Sequence, residues 1–348
     1  MRKHLSTIAG LAALAGTVLA IPLPAQAQEV SLRLHTLLPP VAAPPKTFLI
    51  PWTEKVAKES GGKLKVSFFG AMALGGTPPQ LVDQARDGVV DIVWTLPGYT
   101  AGRFPKSSVF ELPFLHTNAE TTTMALQDFA EKHLQDEYKD YHVLLLHVHG
   151  GSLVMTRDKP IQKVEDFRGL KIRTATASGG LFLKALGAVP LGMPVPEVGP
   201  SMAKGVIDGT MLPYEIAPSQ KMQDLATYFI TMAGPQPRLN TSMFSFLMNK
   251  ASYDKLPADL KKVIDANSGR NLAPVAGKNW DQIEISGRKV MASKDKNKFL
   301  EIPPAEVARM RELAKPAIDQ WVADMNAKGF KGEELLNDAR SLIAKYSK

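Results

Sequence analysis

The sequence predicts an α/β fold with a largely parallel sheet, because candidate strands and helices alternate along the chain. Short apolar or alternating runs at 31–35, 63–69 and 89–95 are each separated from the next by a helical pattern. Such alternation is typical of domains in which helices cover a mostly parallel sheet. A second series of the same kind follows in the other half of the chain.

The first half provides four strands and three helices. Thr77 before Pro78 predicts an N-cap followed by proline at the first helical position, and Gly88 follows the end of that helix. In chain order the predicted elements are strand 31–35, helix 48–59, strand 63–69, helix 78–86, strand 89–95, helix 119–139 and strand 143–148.

The second half repeats this style and ends in long helices. Gly187 and Gly205 each follow a helical pattern, as residues that close helices commonly do. The predicted elements are strand 170–173, helix 180–186, helix 196–204, strand 206–211, strand 244–248, and long helices at 257–292 and 304–327.

Two helix-to-strand junctions resemble each other. Residues 87–91 lead into "IVWTLPGY", and residues 204–208 lead into "GTMLPYE". This similarity is either a coincidence in a common junction or a sign of two similar domains whose strand ends, at 94–97 and 211–213, face each other. Open α/β sheets bind ligands beyond the carboxyl ends of their strands. The second interpretation therefore predicts a cleft between two domains.

The first 27 residues have the pattern of a secretory signal peptide. Arg2 and Lys3 precede an apolar stretch at 5–23, and Ala25-Gln26-Ala27 is a small-x-small cleavage site. The alternative is a membrane anchor. We expect export to the periplasm with cleavage near Ala27. No later stretch has about 18 uninterrupted apolar residues, so no internal membrane span is expected.

Composition excludes several classes of function. Cysteine is absent, which removes thiol nucleophiles, cysteine metal sites and disulfides. The formal net charge of +8 is spread among acidic residues along the helical segments, so we expect no nucleic-acid partner.

A search for catalytic motifs favours a protein that is not an enzyme. The sequence has no G-x-S-x-G, no H-E-x-x-H and no complete Walker loop. His147 and His149 lie on one face of a strand end, but no third metal ligand is marked. We expect one of them to be packed in the core and the other to line the cleft, with no metal and no cofactor.

The segment "DFRGLKIRTATAS", residues 166–178, places an arginine at the end of a short strand and small residues after it. Arg173 is the residue in question. Taken alone, such an arginine is either a surface ion-pair partner or an anchor for an anion.

Several motifs together resemble a known family. They are "GLKIR" and "PEVGPSMAKGVIDGTMLP", with supporting segments "GGTPPQLVDQARDGVVDI", "FELPFL" and "LMNKASYDKLPADLKKVI". In their order and spacing they resemble the extracytoplasmic solute-binding subunit of TRAP (tripartite ATP-independent periplasmic) transporters, of the dicarboxylate-receptor type. The resemblance extends over residues 32–331.

This resemblance implies a two-domain periplasmic-binding-protein clamshell, with a ligand cleft between the domains and long C-terminal helices. The predicted division is a signal peptide at 1–27, domain I at 28–150 and 242–280, and domain II at 151–241 and 281–348.

The resemblance also implies a ligand site. Arg173 matches the arginine that pairs with the substrate carboxylate, and a planar fork of donors suits that role. Trp94 matches an aromatic residue that lies against the ligand. The other residues expected to bind the ligand are Pro97, Tyr99, His149, Leu153, Thr176, Leu212, Tyr214 and Phe244.

Departures from the family pattern narrow the expected ligand. Leu153 stands where sialic-acid binders have a second arginine, and Leu212 stands where the family has an asparagine. Apolar walls disfavour the burial of a highly polar ligand. We therefore expect a monocarboxylate with an apolar or aromatic body, such as a 2-oxo, 2-hydroxy or aromatic acid, rather than a sugar acid or a dicarboxylate.

The implied function is the capture of a small organic acid by domain closure and its delivery to membrane-embedded TRAP permease subunits. One alternative is a receptor of the same fold that signals to a membrane sensor. Another is an exported hydrolase, for which the sequence offers no motif.

Overall fold

The computed structural model describes residues 29–234 and 238–347. The predicted signal peptide at 1–27 lies outside the described residues. The strands are β1 Val30–Thr36, β2 Leu64–Phe69, β3 Ile92–Thr95, β4 Tyr141–Val148, β5 Leu153–Thr156, β6 Lys171–Thr174, β7 Val189–Gly192, β8 Gly209–Leu212, β9 Tyr228–Met232, β10 Met243–Asn249 and β11 Lys298–Ile302.

Helices surround these strands, as an α/β class requires. The α-helices are α1 Ile50–Glu59, α2 Leu81–Arg86, α3 Ala119–His133, α4 Ala177–Ala185, α5 Val198–Ala203, α6 Met222–Leu225, α7 Lys250–Asp254, α8 Ala258–Ala266, α9 Gly269–Met291, α10 Pro304–Ala327 and α11 Gly332–Tyr346. No helix among residues 29–234 and 238–347 is long and apolar enough to cross a membrane.

Within the described residues the strands form two sheets. The first has the order β2-β1-β3-β10-β4, and the second has the order β11-β9-β5-β8-β6-β7. One strand in each sheet is reversed: β10 is antiparallel to β3 and β4, and β5 is antiparallel to β8 and β9. The other strands of each sheet run in a common direction. The predicted α/β class with largely parallel sheets is confirmed.

The chain passes between the two sheets three times, from β4 to β5, from β9 to β10 and from β10 to β11, and the first two crossings are neighbours. Where they meet, the Ser152 N–H donates a hydrogen bond of 2.7 Å to the Asn240 carbonyl. Gly151 has φ 95° here, and a Cβ atom would lie 2.6 Å from the side chain of Arg238, so the position requires glycine. We propose that this pair of crossing segments is the hinge between the two predicted domains.

Helix α9 contacts the backbone on both sides of that hinge. A Cβ atom on Gly277 would lie 2.4 Å from the Glu120 Cα of α3, and one on Gly287 would lie 2.0 Å from the Tyr214 carbonyl oxygen after β8. Gly277 and Gly287 thus allow α9 to pack closely against one segment beside the first sheet and another beside the second.

The C-terminal helices divide between the two sides. Helix α10 packs on α4, beside the second sheet, while α11 packs on α3, beside the first. Lys345 of α11 forms an ion pair of 2.8 Å with Asp128 of α3. We therefore propose that α11 belongs with the first sheet, rather than with domain II as its place in the chain suggested.

Several element boundaries differ from the expectation. The predicted helix at 257–292 is two helices, because Asn267 and Ser268 leave the helical conformation and α9 starts afresh at Gly269. The strand predicted from residue 89 begins at Ile92, since Val89 is solvent-exposed. The helix predicted to residue 139 ends at His133. Strands β5 and β7, of four residues each, are too short to show a periodic pattern.

Candidate ligand-binding site

A cavity lies between the two sheets. Its wall is formed by the carboxyl ends of β3, β6 and β8, the loop after β1 and the two crossing segments. Sites for small molecules commonly lie between two domains and at the carboxyl ends of strands. The facing strand ends predicted from the repeated junction thus border one cavity.

Arg173 lies at one end of this cavity, near the carboxyl end of β6, and is only 2% exposed. Its Nε donates to the Met193 carbonyl at 2.9 Å, and its Nη1 donates to the Met211 carbonyl at 3.2 Å. It forms no ion pair with a carboxylate in the part of the chain that the structure describes. Burial lowers the pKa of Arg173 from its ordinary value. The guanidinium is therefore a buried cation that carbonyl groups orient, and Glu197 acts on it electrostatically without forming an ion pair.

Tyr99 lies beside Arg173 and connects the two sides of the cleft. It ends a short 3₁₀ turn, Pro97–Tyr99, that follows β3, and its hydroxyl oxygen accepts a hydrogen bond of 3.0 Å from the Val195 N–H. Burial raises the pKa of Tyr99, while the charge of Arg173 acts in the opposite direction. The phenol is therefore neutral and also interacts with the guanidinium.

Two further hydrogen bonds cross the cleft. The Ser178 hydroxyl donates to the Glu111 carbonyl at 3.1 Å, and the Trp321 Nε1 donates to the Ser108 hydroxyl at 2.7 Å. Together with the Tyr99 contact, they connect segments from the two predicted domains beside the cavity.

The opposite part of the cavity is aromatic. Trp94 stacks on Phe244 with ring centroids 4.5 Å apart and planes inclined by 11°. The Trp94 Nε1 donates to the His147 Nε2 at 2.9 Å, so the polar atom of the indole is satisfied within the wall. Burial lowers the pKa of His147 to about 3, which keeps it neutral and able to accept this bond. The cavity therefore combines an unpaired cation with flat aromatic surface.

A family model described as "Bacterial extracellular solute-binding protein, family 7" matches residues 41–324. The chain belongs to this family. The predicted relationship to TRAP solute-binding proteins is thereby confirmed.

Solved structures of TRAP solute-binding proteins agree with this assignment. One, from Rhodoferax ferrireducens T118 in complex with copurified benzoate, is 44% identical, with a TM-score of 0.89 over 91% of this chain and 98% of that chain. A marine metagenome protein specific for aromatic acid ligands, with co-crystallized 3-hydroxybenzoate, is 43% identical, with a TM-score of 0.90 over 92% and 100%. A Bordetella bronchiseptica protein with bound (R)- and (S)-mandelate is 30% identical, with a TM-score of 0.82 over 91% and 99%.

The ten residues expected to bind the ligand fall into two groups in this solute-binding protein. Those that line the cavity are Trp94, Tyr99, His149, Arg173, Leu212 and Phe244.

The other four do not line the cavity. Thr176 caps α4 by accepting a hydrogen bond from the Gly179 N–H, and Leu153 is buried in β5 opposite Leu212. Tyr214 points into the core, where it packs on Phe229 and lies under the Arg238 guanidinium. Pro97 borders a separate groove near α10. In each case the packing around the residue directs its side chain away from the cavity, and a short sequence motif does not reveal that packing.

His147 and His149 occupy different surroundings. His147 is packed between aromatic rings, whereas His149 lines the cavity and its Nε2 accepts a hydrogen bond of 2.9 Å from the Ser242 N–H. Burial, and then neighbouring positive charge, hold the pKa of His149 well below its usual range. No group of three histidine or carboxylate side chains suited to a metal ion occurs among residues 29–234 and 238–347.

Several polar residues that line the cavity were not among the predicted ligand-binding residues. They are Ser152, Thr174, Glu215, Asn240 and Ser242. Glu215 stands three residues beyond the end of β8, while Asn240 and Ser242 immediately precede β10. Their positions next to strand ends were a usable signal, but the crossing that brings them together depends on β5, which was not predicted.

Glu215 belongs to a buried charged cluster. It is 3% exposed, and its backbone N–H donates a bond of 2.9 Å to the Glu284 carboxylate of α9. Glu284 also accepts a bond of 2.8 Å from the Arg238 Nη2. Burial, and then the charge of Glu284, raise the pKa of Glu215 well above its usual range.

Proposed function

We propose that this solute-binding protein captures an aromatic monocarboxylate in the periplasm and delivers it to the membrane subunits of a TRAP transporter. The observation that supports this most directly is the buried Arg173, which has no carboxylate partner among the described residues and shares its cavity with stacked aromatic rings. A ligand with one carboxylate and a flat apolar body matches both features.

The proposed division of roles follows from the geometry. Arg173 binds the carboxylate, because a guanidinium presents parallel donors that match two carboxylate oxygens. Met193 and Met211 orient it through their carbonyl groups. Trp94 and Phe244 contact the ring, and Leu212 adds apolar surface. The relatives named above were solved with benzoate, 3-hydroxybenzoate and mandelate, and each of these has one carboxylate and one aromatic ring.

Closure of the cleft is the proposed signal to the permease. A ligand shifts a conformational equilibrium only by its differential affinity for the two states. Arg173 and Tyr99 come from opposite sides of the cleft, so a carboxylate held between them would bind the closed state more tightly. We further propose that residues 1–27 direct export and are removed near Ala27, and that the protein releases its ligand unchanged.

The test measures binding of benzoate by calorimetry to purified protein that has been unfolded, dialysed and refolded to remove any copurified acid. Arg173→Met should weaken benzoate binding by about 10²–10⁴-fold, since two charge-assisted hydrogen bonds contribute about 1.5–3 kcal/mol each. Arg309→Met, at an exposed arginine of α10, should leave the affinity unchanged.

Two comparison ligands sharpen the test. Benzyl alcohol keeps the ring and lacks the carboxylate, so the wild type should bind it weakly and Arg173→Met should bind it no worse. Succinate has two carboxylates and no ring. The proposal is wrong if succinate binds more tightly than benzoate, or if Arg173→Met retains benzoate affinity.

A further inference from the structure

Glu215 lines the cavity, and its buried carboxyl group lies beside that of Glu284, which is paired with an arginine. The side chains of Glu284 and Arg238 are 10% and 13% exposed and form an ion pair of 2.8 Å. Glu284 also accepts the Glu215 N–H. Burial raises the pKa of Glu284, while the charge of Arg238 and then the hydrogen bonds with Glu215 oppose that shift and favour its ionised form.

Glu215 has weaker compensation, because Arg238 acts on it without forming an ion pair. Its carboxyl interacts with that of Glu284, and two adjacent buried carboxylates with one cation would leave a negative charge uncompensated. A buried unpaired charge is costly, and the group becomes neutral instead. Burial, and then the charge of Glu284, raise the pKa of Glu215, which favours its neutral form. Glu215 is therefore the protonated member of the pair.

A protonated carboxyl group has one donor and further acceptor capacity. If the proton faces Glu284, the other oxygen remains an acceptor. In the described part of the chain the Glu215 Oε2 is buried and has no hydrogen-bond partner. Glu215 also lines the cavity. A buried polar atom without a partner is uncommon in folded proteins, and a ligand group is one way to satisfy it.

Resting on the proposed function, we propose that Glu215 is a specificity-determining residue that accepts a hydrogen bond from a hydroxyl group on the body of the aromatic acid. Arg173 selects the carboxylate, and Glu215 selects a hydroxyl substituent. The same position disfavours a second carboxylate, because its charge would lie close to the ionised Glu284 without a cation of its own. The expected order of affinity is a hydroxybenzoate, then benzoate, then a benzenedicarboxylate.

The experiment compares dissociation constants for benzoate and for 2-, 3- and 4-hydroxybenzoate. In the wild type one hydroxybenzoate isomer should bind more tightly than benzoate. Glu215→Leu should weaken that isomer by about twofold to tenfold, the effect of one hydrogen bond, and should leave benzoate affinity unaltered. Glu215→Gln, which retains an acceptor oxygen without ionising, should restore most of the preference.

A ligand-side measurement does not depend on how the variants fold. The methoxybenzoate that corresponds to the preferred isomer lacks the donor hydrogen and should bind the wild type no better than benzoate. The inference is overturned if the methyl ether binds as tightly as the hydroxy acid, or if Glu215→Leu weakens benzoate and hydroxybenzoate equally. Failure of the proposed function would look different, since benzoate itself would then not bind or would bind independently of Arg173.

Discussion

Two buried arginines near the ligand cavity have their charges balanced in different ways. Arg238 forms an ion pair with Glu284 and lies over the ring of Tyr214, 5.1 Å from its centroid. Arg173 is more deeply buried, and in the described chain its hydrogen-bond partners include two backbone carbonyls but no carboxylate. The charge of Arg238 is balanced by a protein carboxylate. We propose that the charge of Arg173 is balanced by the carboxylate of a bound ligand.

This difference indicates that Arg238 stabilises the fold, whereas Arg173 is available to bind the ligand. Removal of one partner from a buried ion pair leaves an uncompensated charge and is strongly destabilising. A guanidinium held by neutral carbonyls is positioned without being neutralised, so its attraction for an external carboxylate is retained. Local stability at Arg173 is lower than it would be with a protein carboxylate beside it, as is common at functional sites.

The largest effect expected from this comparison is on stability. Arg238→Met should lower the free energy of unfolding by about 3–5 kcal/mol, because Glu284 then lacks its cation. Arg173→Met, in protein freed of ligand, should change it by less than about 1.5 kcal/mol, since an unpaired buried charge is removed together with two hydrogen bonds. Urea unfolding of both variants measures this. Equal losses would show that Arg173 also has a structural role.

The next effect concerns the shape of the cation. Arg173→Lys keeps a positive charge but loses the planar fork, so we expect benzoate to bind about 10–100-fold more weakly. Arg238→Lys is the matched control, because Arg238 does not line the cavity. Its benzoate affinity should stay within about threefold of the wild type, as measured by calorimetry. A larger loss would show that the two arginines act as one unit.

A smaller effect is expected at the aromatic wall. Phe244→Leu removes a ring that stacks on Trp94, and aromatic pairs contribute about 0.5–1.5 kcal/mol beyond the area they bury. Benzoate affinity should fall about threefold to tenfold. Tyr253→Leu, which removes a ring stacked on His142 away from the cavity, should leave affinity unaltered. A loss at Phe244 as large as that at Arg173 would mean that the ring, rather than the charge, dominates binding.

The smallest effect is expected at the contact that crosses the cleft beside Arg173. Tyr99→Phe removes the acceptor for the Val195 N–H, a bond of about 0.5–1.5 kcal/mol. Benzoate should bind about twofold to tenfold more weakly, while the unfolding free energy of the ligand-free protein should change little. Calorimetry and urea unfolding on the same preparation separate the two quantities. A loss of stability without a loss of affinity would remove Tyr99 from the closure mechanism.

The cation and the aromatic wall could be predicted from the sequence because each lies on a strand with a clear local pattern. The run "GLKIR" brings Arg173 to the end of a strand, and "IVWT" does the same for Trp94. A side chain at a strand end keeps its direction in a regular sheet. By contrast, Thr176 and Tyr214 lie in turns, where capping and packing decide the direction of the side chain.

The hydrogen-bonding groups that complete the cavity depended on contacts between distant parts of the chain. Asn240 reaches the cavity because its segment pairs with Ser152, which is 88 residues earlier. The pKa of Glu215 is raised first by burial and then by Glu284 of α9, which lies beside it. Neither relationship leaves a periodic or compositional trace.

By itself, the sequence determined the α/β class, the positions of most long elements and the resemblance to a transporter receptor, and it predicted Arg173 as the anchor for an anion. These features follow from hydrophobic period, helix ends and short motifs, which act over a few residues. Only the tertiary structure decided which side chains share the cavity, which of the two arginines forms an ion pair with a carboxylate and which glutamate is buried beside another carboxyl group. Those outcomes depend on burial and on charges brought together across the fold, because the free energy of a charge is set by its surroundings in space.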